Sequence, residues 1–179
     1  MKKFLTLFAL TSISAACFGP GSSHSRAAAT GSKSQLEEAF SIAFGATGYL
    51  PYDYKPTGCS ERAAYVEMEL ATRGIPSSQI FLFADLHYES DPQATWGNHT
   101  APIVTTAEVP TIDNTFVLDP ALFDGPATVR EWVARSTKYS TLPEAQKNFR
   151  ILVENVPDGM PDVDWNEELL PNLPIANSI

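Results

Sequence analysis

The feature that most constrains the fold is a pair of apolar, strand-like segments separated by a short turn region. Residues 99–106 (HTAPIVTT) and 115–119 (TFVLD) have the composition of strands. The region between them contains Pro110 and the pair Asp113-Asn114, residue types that favour turns. We therefore expect an antiparallel hairpin, in which the start of the first segment lies opposite the end of the second.

The segments around this hairpin predict a fold that combines helices with a sheet. The clearest helix covers residues 59–73, where good helix formers carry an apolar stripe and Gly74 and Pro76 provide a stop. Other predicted elements are helices at 35–46, 127–135 and 143–147 and strands at 79–88 and 148–154. The last twenty residues are expected to be irregular. The pattern indicates one α+β domain, residues 35–179, with an antiparallel sheet packed against helices.

The first sixteen residues, 1–16, are typical of an export signal. Lys2 and Lys3 precede an apolar stretch that is too short to span a bilayer. Ordinary signal peptidase cleavage and lipidation at Cys17 are both open, because small residues stand before this cysteine. Residues 17–34, rich in Gly and Ser, are interpreted as a tether or leader. We expect a periplasmic or secreted domain with no membrane span and with Cys17 as a candidate lipid anchor.

Composition excludes several classes of partner. Asp and Glu number 21 against 12 Lys and Arg, and no basic patch stands out, so a nucleic-acid partner is not expected. His87 has no partner at metal-ligand spacing, and no metal or cofactor is expected. With Cys17 in the leader, the domain keeps one cysteine, Cys59. Exported proteins normally pair their cysteines, so an unpaired thiol points to reactivity.

Three residues have the chemistry of a catalytic triad. Cys59 follows Gly58 at the predicted start of a helix, where free N–H groups and the helix dipole favour a thiolate. His99 begins one hairpin segment and Asp119 ends the other. A register centred near Val109 places His99 directly opposite Asp119 on one face of the sheet, so that the carboxylate can orient the imidazole. Taken singly, the three could equally be a buried apolar thiol, a surface histidine and a turn-forming aspartate.

Apolar residues continue the face that the predicted base and orienter share. They are Ala101 and Ile103 on the face of His99 and Val117 on that of Asp119. We expect the helix that begins at Cys59 to pack on this apolar surface.

Three sequence blocks resemble the motifs of bacterial protein-glutaminases. In chain order they are GCSERA at 58–63, WGNHTAPIV at 96–104 and LDPALF at 118–123. The resemblance covers about residues 50–125. It implies a core related to those of transglutaminases and papain-like proteases, with no metal, and deamidation of glutamine in proteins and peptides to glutamate and ammonia. By motif position it implies Cys59 as nucleophile and His99 as base.

The orienting residue implied by the third block is Asp119. A thioester on Cys59 is the implied intermediate, and proteins or peptides with an accessible glutamine are the implied partners of a monomeric enzyme. Trp96 is a candidate substrate-binding residue that walls the cleft, with a core aromatic as its other interpretation. Arg62 either braces the site through an acid or is a solvated charge.

Other functions stay open at this point. A transglutaminase or a cysteine protease could use the same triad, because the difference is whether water or an amine reaches the thioester and whether a backbone amide fits the cleft. A non-catalytic envelope lipoprotein that binds a partner is the third hypothesis. Family members often carry a long pro-region and several disulfides, and neither is expected here.

Overall fold

The computed structural model describes residues 32–49, 58–87, 95–107, 109–154 and 164–169. The predicted signal, residues 1–16, and Cys17 lie outside these residues. In chain order the helices and strands are α1 (Lys33–Gly45), α2 (Cys59–Thr72), β1 (Ser78–His87), β2 (Thr95–Thr105), β3 (Thr115–Val117), β4 (Ala127–Thr128), α3 (Val129–Ser136), α4 (Leu142–Gln146), β5 (Arg150–Glu154) and α5 (Trp165–Leu169).

The five strands form one antiparallel sheet in the order β4-β3-β2-β1-β5. The connections from β1 to β2 and from β2 to β3 are shorter than a parallel crossover requires, so consecutive strands reverse direction. With helices packed on both faces, the sheet confirms the predicted α+β architecture. Within the described residues, no helix is both long and apolar enough to cross a membrane.

The hairpin of β2 and β3 is confirmed, but its predicted register is wrong. Ile103 pairs with Val117 and Thr105 with Thr115, so the hairpin is centred on residue 110 rather than 109. Asn114 explains the difference, because its side-chain oxygen accepts the Thr111 N–H at 2.7 Å and thereby closes the turn further along the chain.

The register error moves Asp119 along the sheet without moving it to the other face. In the observed register Asp119 continues toward Ala101 instead of facing His99, as the bond from Leu118 N–H to the Pro102 carbonyl at 2.9 Å indicates. A shift of two residues preserves the alternation of side chains. His99 and Asp119 therefore share a face, and they meet diagonally.

The two faces of the sheet have separate cores. On the face that we call the α3 side, Ile80 and Leu82 of β1 pack with Trp132 and Val133 of α3, and α5 adds Trp165. On the opposite face, the α2 side, α1 and α2 cover β2 and β3. The expectation that the Cys59 helix packs on the face of His99 is therefore wrong.

The residues behind this correction are easily separated by face. Ala101, Ile103 and Val117 belong to the core on the α3 side, whereas α2 contributes Val66 and Leu70 to the core on the α2 side. Strand alternation predicts which residues share a face, but it does not say which helix will cover that face.

Three differences from the predicted elements go beyond shifts of one or two residues at an end. β2 begins at Thr95 rather than 99, because Thr95 and Trp96 pair with the far end of the long strand β1. The predicted helix 127–135 starts late, since residues 127–128 form β4 beside β3 and α3 follows. The short helix α5 lies in the segment that was expected to be irregular.

Candidate active site

The start of α2 carries Cys59. Gly58 precedes it in the left-handed region with φ +96°, a conformation that suits glycine. No side chain caps this end of α2 within the described chain, whereas α1 and α3 begin with capping boxes at Ser32 and Thr128. The first N–H groups of α2 therefore favour an anion at this position, and that of Ser60 bonds the sulfur.

His99 and Asp119 form a short, buried hydrogen bond. The distance from His99 Nε2 to Asp119 Oδ2 is 2.7 Å, and both side chains are buried. The other ring nitrogen of His99 is left to face Cys59, with which it forms a second hydrogen bond. The structure thus brings all three predicted residues together in the order thiol, imidazole, carboxylate.

The carboxylate of Asp119 accepts two further hydrogen bonds. The indole Nε1–H of Trp132 donates to Oδ2 at 2.9 Å, and the backbone N–H of Ala121 donates to Oδ1 at 3.1 Å. The Trp132 ring also stacks on the imidazole of His99, with centroids 5.4 Å apart and planes 26° from parallel. This convergence of donors lets a carboxylate stay ionised when it is only 2% exposed.

The thiol reaches the imidazole where the sheet is incomplete. β3 pairs with β2 only at residues 103–105, so the described ladder stops before His99. At this open edge the backbone N–H of Thr100 bonds the sulfur of Cys59. Because β3 does not pair with this part of β2, Cys59 of α2 lies next to His99, whose side chain belongs to the α3 side.

Electrostatics favour a charged thiol and imidazole. Burial opposes ionisation of Cys59, but the hydrogen bond and charge of His99, with the N–H groups of Thr100 and Ser60, hold the pKa of the thiol below its usual value. Burial also opposes the imidazolium, yet the charge and hydrogen bond of Asp119 and the contact with Cys59 raise the pKa of His99 to about 9. Both shifts favour a thiolate–imidazolium pair over a neutral thiol and imidazole.

Asp119 is the anion that sustains this pair. Burial raises its pKa, but the charge and hydrogen bond of His99 outweigh burial, and the donors Trp132 and Ala121 add to them. The pKa of Asp119 therefore lies below its ordinary value, and the carboxylate is ionised at neutral pH.

A small cavity lies beside the three side chains. Its volume is about 10 Å³, and Cys59, Arg62, Pro102 and Leu118 are among its lining residues. That space accommodates roughly one water molecule and is too small for a carboxamide side chain. A substrate has to reach Cys59 from its solvent-facing side, and Cys59 is half-buried rather than enclosed.

Two other residues from the sequence motifs lie at the site. Trp96 is half-buried, packs against the core on the α3 side and stands edge-on to His99, with ring centroids 6.3 Å apart. Arg62 is buried at 9% exposure, so its interpretation as a solvated charge is wrong. One terminal nitrogen of Arg62 lies against Gly58, 3.1 Å from where a side chain at Gly58 would begin.

Sequence reasoning missed Trp132 and several backbone donors, among them the N–H of Thr100. Trp132 lies in α3, outside the three motif blocks, and only the packing of α3 over the sheet brings it to Asp119. Thr100 acts through its backbone N–H, which its side-chain identity does not reveal. In the part of the chain that the structure describes, no group of three or more His, Cys, Asp or Glu residues could hold a metal ion.

Comparison with known proteins agrees with these observations. A family model described as glutaminase matches residues 30–136. No curated protein matches the sequence significantly.

Solved structures with a similar fold are named as protein-glutaminases. The NMR structure of protein-glutaminase from Chryseobacterium proteolyticum has a TM-score of 0.56 at 19% identity, covering 71% of this chain and 73% of that one. A crystal structure of protein-glutaminase has a TM-score of 0.56 at 21% identity, with the same coverage of 71% and 73%. For a crystal structure of pro-protein-glutaminase the TM-score is 0.55 at 18% identity, covering 75% of this chain and 51% of that one.

Proposed function

We propose that this chain, which belongs to the glutaminase family and is therefore a glutamine-deamidating enzyme, acts on proteins. It hydrolyses their glutamine side chains through a thioester on Cys59. The resemblance found in the three motif blocks is thereby confirmed at the level of the family. The catalytic residues, the intermediate and the protein substrate are the proposal.

The observation that carries the proposal is the continuous chain of contacts from Cys59 through His99 to Asp119. A partly exposed thiol with a lowered pKa bonds an imidazole that a buried carboxylate holds at 2.7 Å. Nucleophile, base and orienter are the parts that acyl transfer from an amide requires. A core cysteine would have no need of the imidazole or of the helix N–H groups around it.

The first half of the proposed reaction forms the acyl-enzyme. The sulfur of Cys59 attacks the side-chain carbonyl carbon of glutamine, and a carbon–sulfur bond forms. The negative oxygen is stabilised by backbone N–H groups at the uncapped start of α2, that of Cys59 included. His99 gives its proton to the departing nitrogen, the carbon–nitrogen bond breaks, and ammonia leaves.

The second half releases glutamate. The neutral imidazole of His99 takes a proton from water, which attacks the thioester carbonyl, and the carbon–sulfur bond breaks. The thiolate and the imidazolium are then restored. Asp119 keeps one ring nitrogen engaged throughout, so the other always faces the reacting atoms.

We assign Trp96 to the wall of the substrate cleft. Its half-buried ring stands edge-on to His99, beside the imidazole that must receive and deliver protons. In that position the ring would limit the access of water to the thioester. As a wall of the cleft the ring would also contact the substrate, so Trp96→Ala should raise KM more than it changes the alkylation rate of Cys59.

A protein or peptide glutamine is the substrate we favour. The names of the similar structures specify proteins as substrates of those enzymes. The half-buried position of Cys59 at a helix start gives the thiol the exposure that a macromolecular substrate needs. With the predicted signal segment, the proposal describes an exported monomeric enzyme that acts on proteins outside the cytoplasm.

The decisive experiment compares the wild-type protein with Cys59→Ala and a matched control, Ser60→Ala. Ser60 is the exposed neighbour of Cys59, and its N–H is kept in the variant. Each protein is incubated with a glutamine-rich unfolded protein while ammonia, crosslinked product and new amino termini are measured together. We expect ammonia alone from the wild type and from Ser60→Ala, and none from Cys59→Ala.

The other outcomes decide between the remaining hypotheses. Crosslinks would indicate transamidation, and new amino termini would indicate proteolysis by the same triad. Ammonia from Cys59→Ala at the wild-type rate would refute the proposed nucleophile. If none of the three products formed and Cys59 were alkylated slowly, a binding module would be favoured.

A further inference from the structure

We infer that Trp132 is a positioning residue of the triad: its indole N–H holds Asp119 while its ring supports the face of the His99 imidazole. The inference rests on the proposed function, because it assigns a task to a side chain that serves the proposed base. It adds a fourth residue, from α3, to a site that the three motif blocks describe with only Cys59, His99 and Asp119.

The first argument is the position of the indole nitrogen. Trp132 is completely buried, and its Nε1–H donates to Asp119 Oδ2 at 2.9 Å. The same oxygen receives His99 Nε2 at 2.7 Å. A side chain needed only to fill the core could be phenylalanine, whereas a buried indole requires a partner for its N–H. Here the partner is the carboxylate that orients the base.

The second argument is the position of the ring. The indole and the imidazole of His99 lie 5.4 Å apart between centroids, at 26° from parallel. The imidazole is therefore held along one edge by Asp119 and over one face by Trp132. The hydrogen bonds to Asp119 and Cys59 hold the edge of the imidazole, and the contact with Trp132 supports its face, so that the plane of the ring is defined from a second direction.

The third argument is electrostatic. Asp119 is only 2% exposed, so its charge depends on hydrogen bonds rather than on water. Within the described chain the donors recorded at its two oxygens are His99, Trp132 and the Ala121 N–H. Loss of the indole donor would raise the pKa of Asp119, and the imidazolium that its charge stabilises would be less stable.

A purely structural role is the competing explanation, because Trp132 also belongs to the large core on the α3 side. The same core contains a matched control. Trp165 of α5 is buried at 6% exposure, and among the described residues it makes no hydrogen bond to Asp119, whose side-chain partners are His99, Trp132 and the Ala121 N–H. Trp165→Phe makes the same chemical change in the same core without touching Asp119.

The test removes the N–H while retaining an aromatic ring. Trp132→Phe is one variant, and replacement of Trp132 by benzothienylalanine is the second, since sulfur takes the place of the N–H in a side chain of nearly the same shape. The readouts are kcat, KM, the pH dependence of Cys59 alkylation by iodoacetamide, and thermal unfolding. Alkylation reports on the thiol without requiring deamidation.

We expect both replacements to lower kcat by about ten- to a hundredfold, the size expected for loss of a hydrogen bond to a charged group. KM should stay within about twofold of wild type, and the alkylation profile should move to higher pH. Trp165→Phe should keep the wild-type kcat and profile. In Asp119→Asn, which already lacks the charge, adding Trp132→Phe should lower kcat by less than it does alone.

Three results would overturn the inference. One is a wild-type kcat and alkylation profile in the benzothienylalanine protein. Another is a loss of kcat that follows thermal stability equally in Trp132→Phe and Trp165→Phe, with an unchanged profile. The third is a full effect of Trp132→Phe in the Asp119→Asn background. If Cys59→Ala were still active, the proposed nucleophile would fail instead, which is a separate result.

Discussion

The two halves of the site are built in opposite ways. The base half, His99 with Asp119 and Trp132, lies on the α3 side of the sheet, where three side chains are buried and joined by hydrogen bonds of 2.7 and 2.9 Å. The thiol half is Cys59 alone, half-buried at an uncapped helix start that follows a left-handed Gly58. One half is part of the core, and the other faces solvent.

This difference separates orientation from access. A base that must hold one ring plane throughout the reaction benefits from a rigid, water-excluded setting. The proposed nucleophile has to meet a glutamine on a large substrate and therefore needs exposure. The imidazole of His99 and backbone N–H groups lower the pKa of its thiol, whereas burial raises it. Burial opposes ionisation in both halves, and hydrogen bonds overcome it in both.

Breaking the base half should have the largest effect. His99→Ala removes the proposed general base together with the cation that would stabilise the thiolate, so kcat/KM should fall on the order of 10⁴-fold. Steady-state ammonia release measures the loss. Asn98→Ala, at the exposed neighbour in β2, is the control and should stay near wild type. A loss of less than tenfold in His99→Ala would mean that His99 is not the base.

Asp119→Asn should weaken the base half without removing it. The amide occupies the same space, but it carries no charge and offers the imidazole a different hydrogen-bonding pattern, so kcat should fall by about 10³-fold. Asp113→Asn is the control, because Asp113 is exposed and pairs with Arg130 at the turn of the hairpin. Circular dichroism should show both variants folded. Equal activities of the two variants would contradict the orienting role.

The pH dependence of kcat/KM should report on both halves at once. Below the lowered pKa of Cys59 the thiol is protonated, and above the His99 pKa of about 9 the imidazole has no proton to give to ammonia. Activity should therefore fall roughly tenfold per pH unit beyond each limb. The alkaline limb should move to lower pH in Asp119→Asn, because the carboxylate is the main cause that raises the pKa of His99. If the alkaline limb stayed at its wild-type pH in Asp119→Asn, it would report on a group other than His99.

Disturbing the thiol half through its backbone should have the smallest effect. Gly58→Ala places a Cβ in the left-handed region and 3.1 Å from an Arg62 nitrogen, so the free energy of unfolding should drop by about 1–2 kcal/mol. Gly45→Ala is the matched control, since the space around Gly45 is open and its backbone is helical. Urea unfolding compares them. A Gly58→Ala protein as stable as wild type would show that the helix start tolerates a side chain.

Local sequence was a good guide to elements and a partial guide to the site. The hairpin, the helix at Cys59 and the shared face of His99 and Asp119 follow from alternation and turn chemistry, which act over a few residues. The register was wrong by two positions because the Asn114 turn depends on a side-chain hydrogen bond that composition does not specify. The short helix α5 was missed although a local signal was present: Asp164 precedes it and accepts the N–H groups of Asn166 and Glu167, while Trp165 and Leu169 pack on the core.

The sequence by itself determined which side chains belong to the site: a thiol at the start of a helix, and a histidine and an aspartate at the two ends of one hairpin. Only the tertiary structure decided which helix covers which face, that α2 meets β2 where the ladder to β3 stops, and that Trp132 reaches Asp119. The physical reason is range. Turn preferences and side-chain alternation are properties of neighbouring residues, whereas the covering of a face is settled by how all the apolar surfaces of the chain fit together.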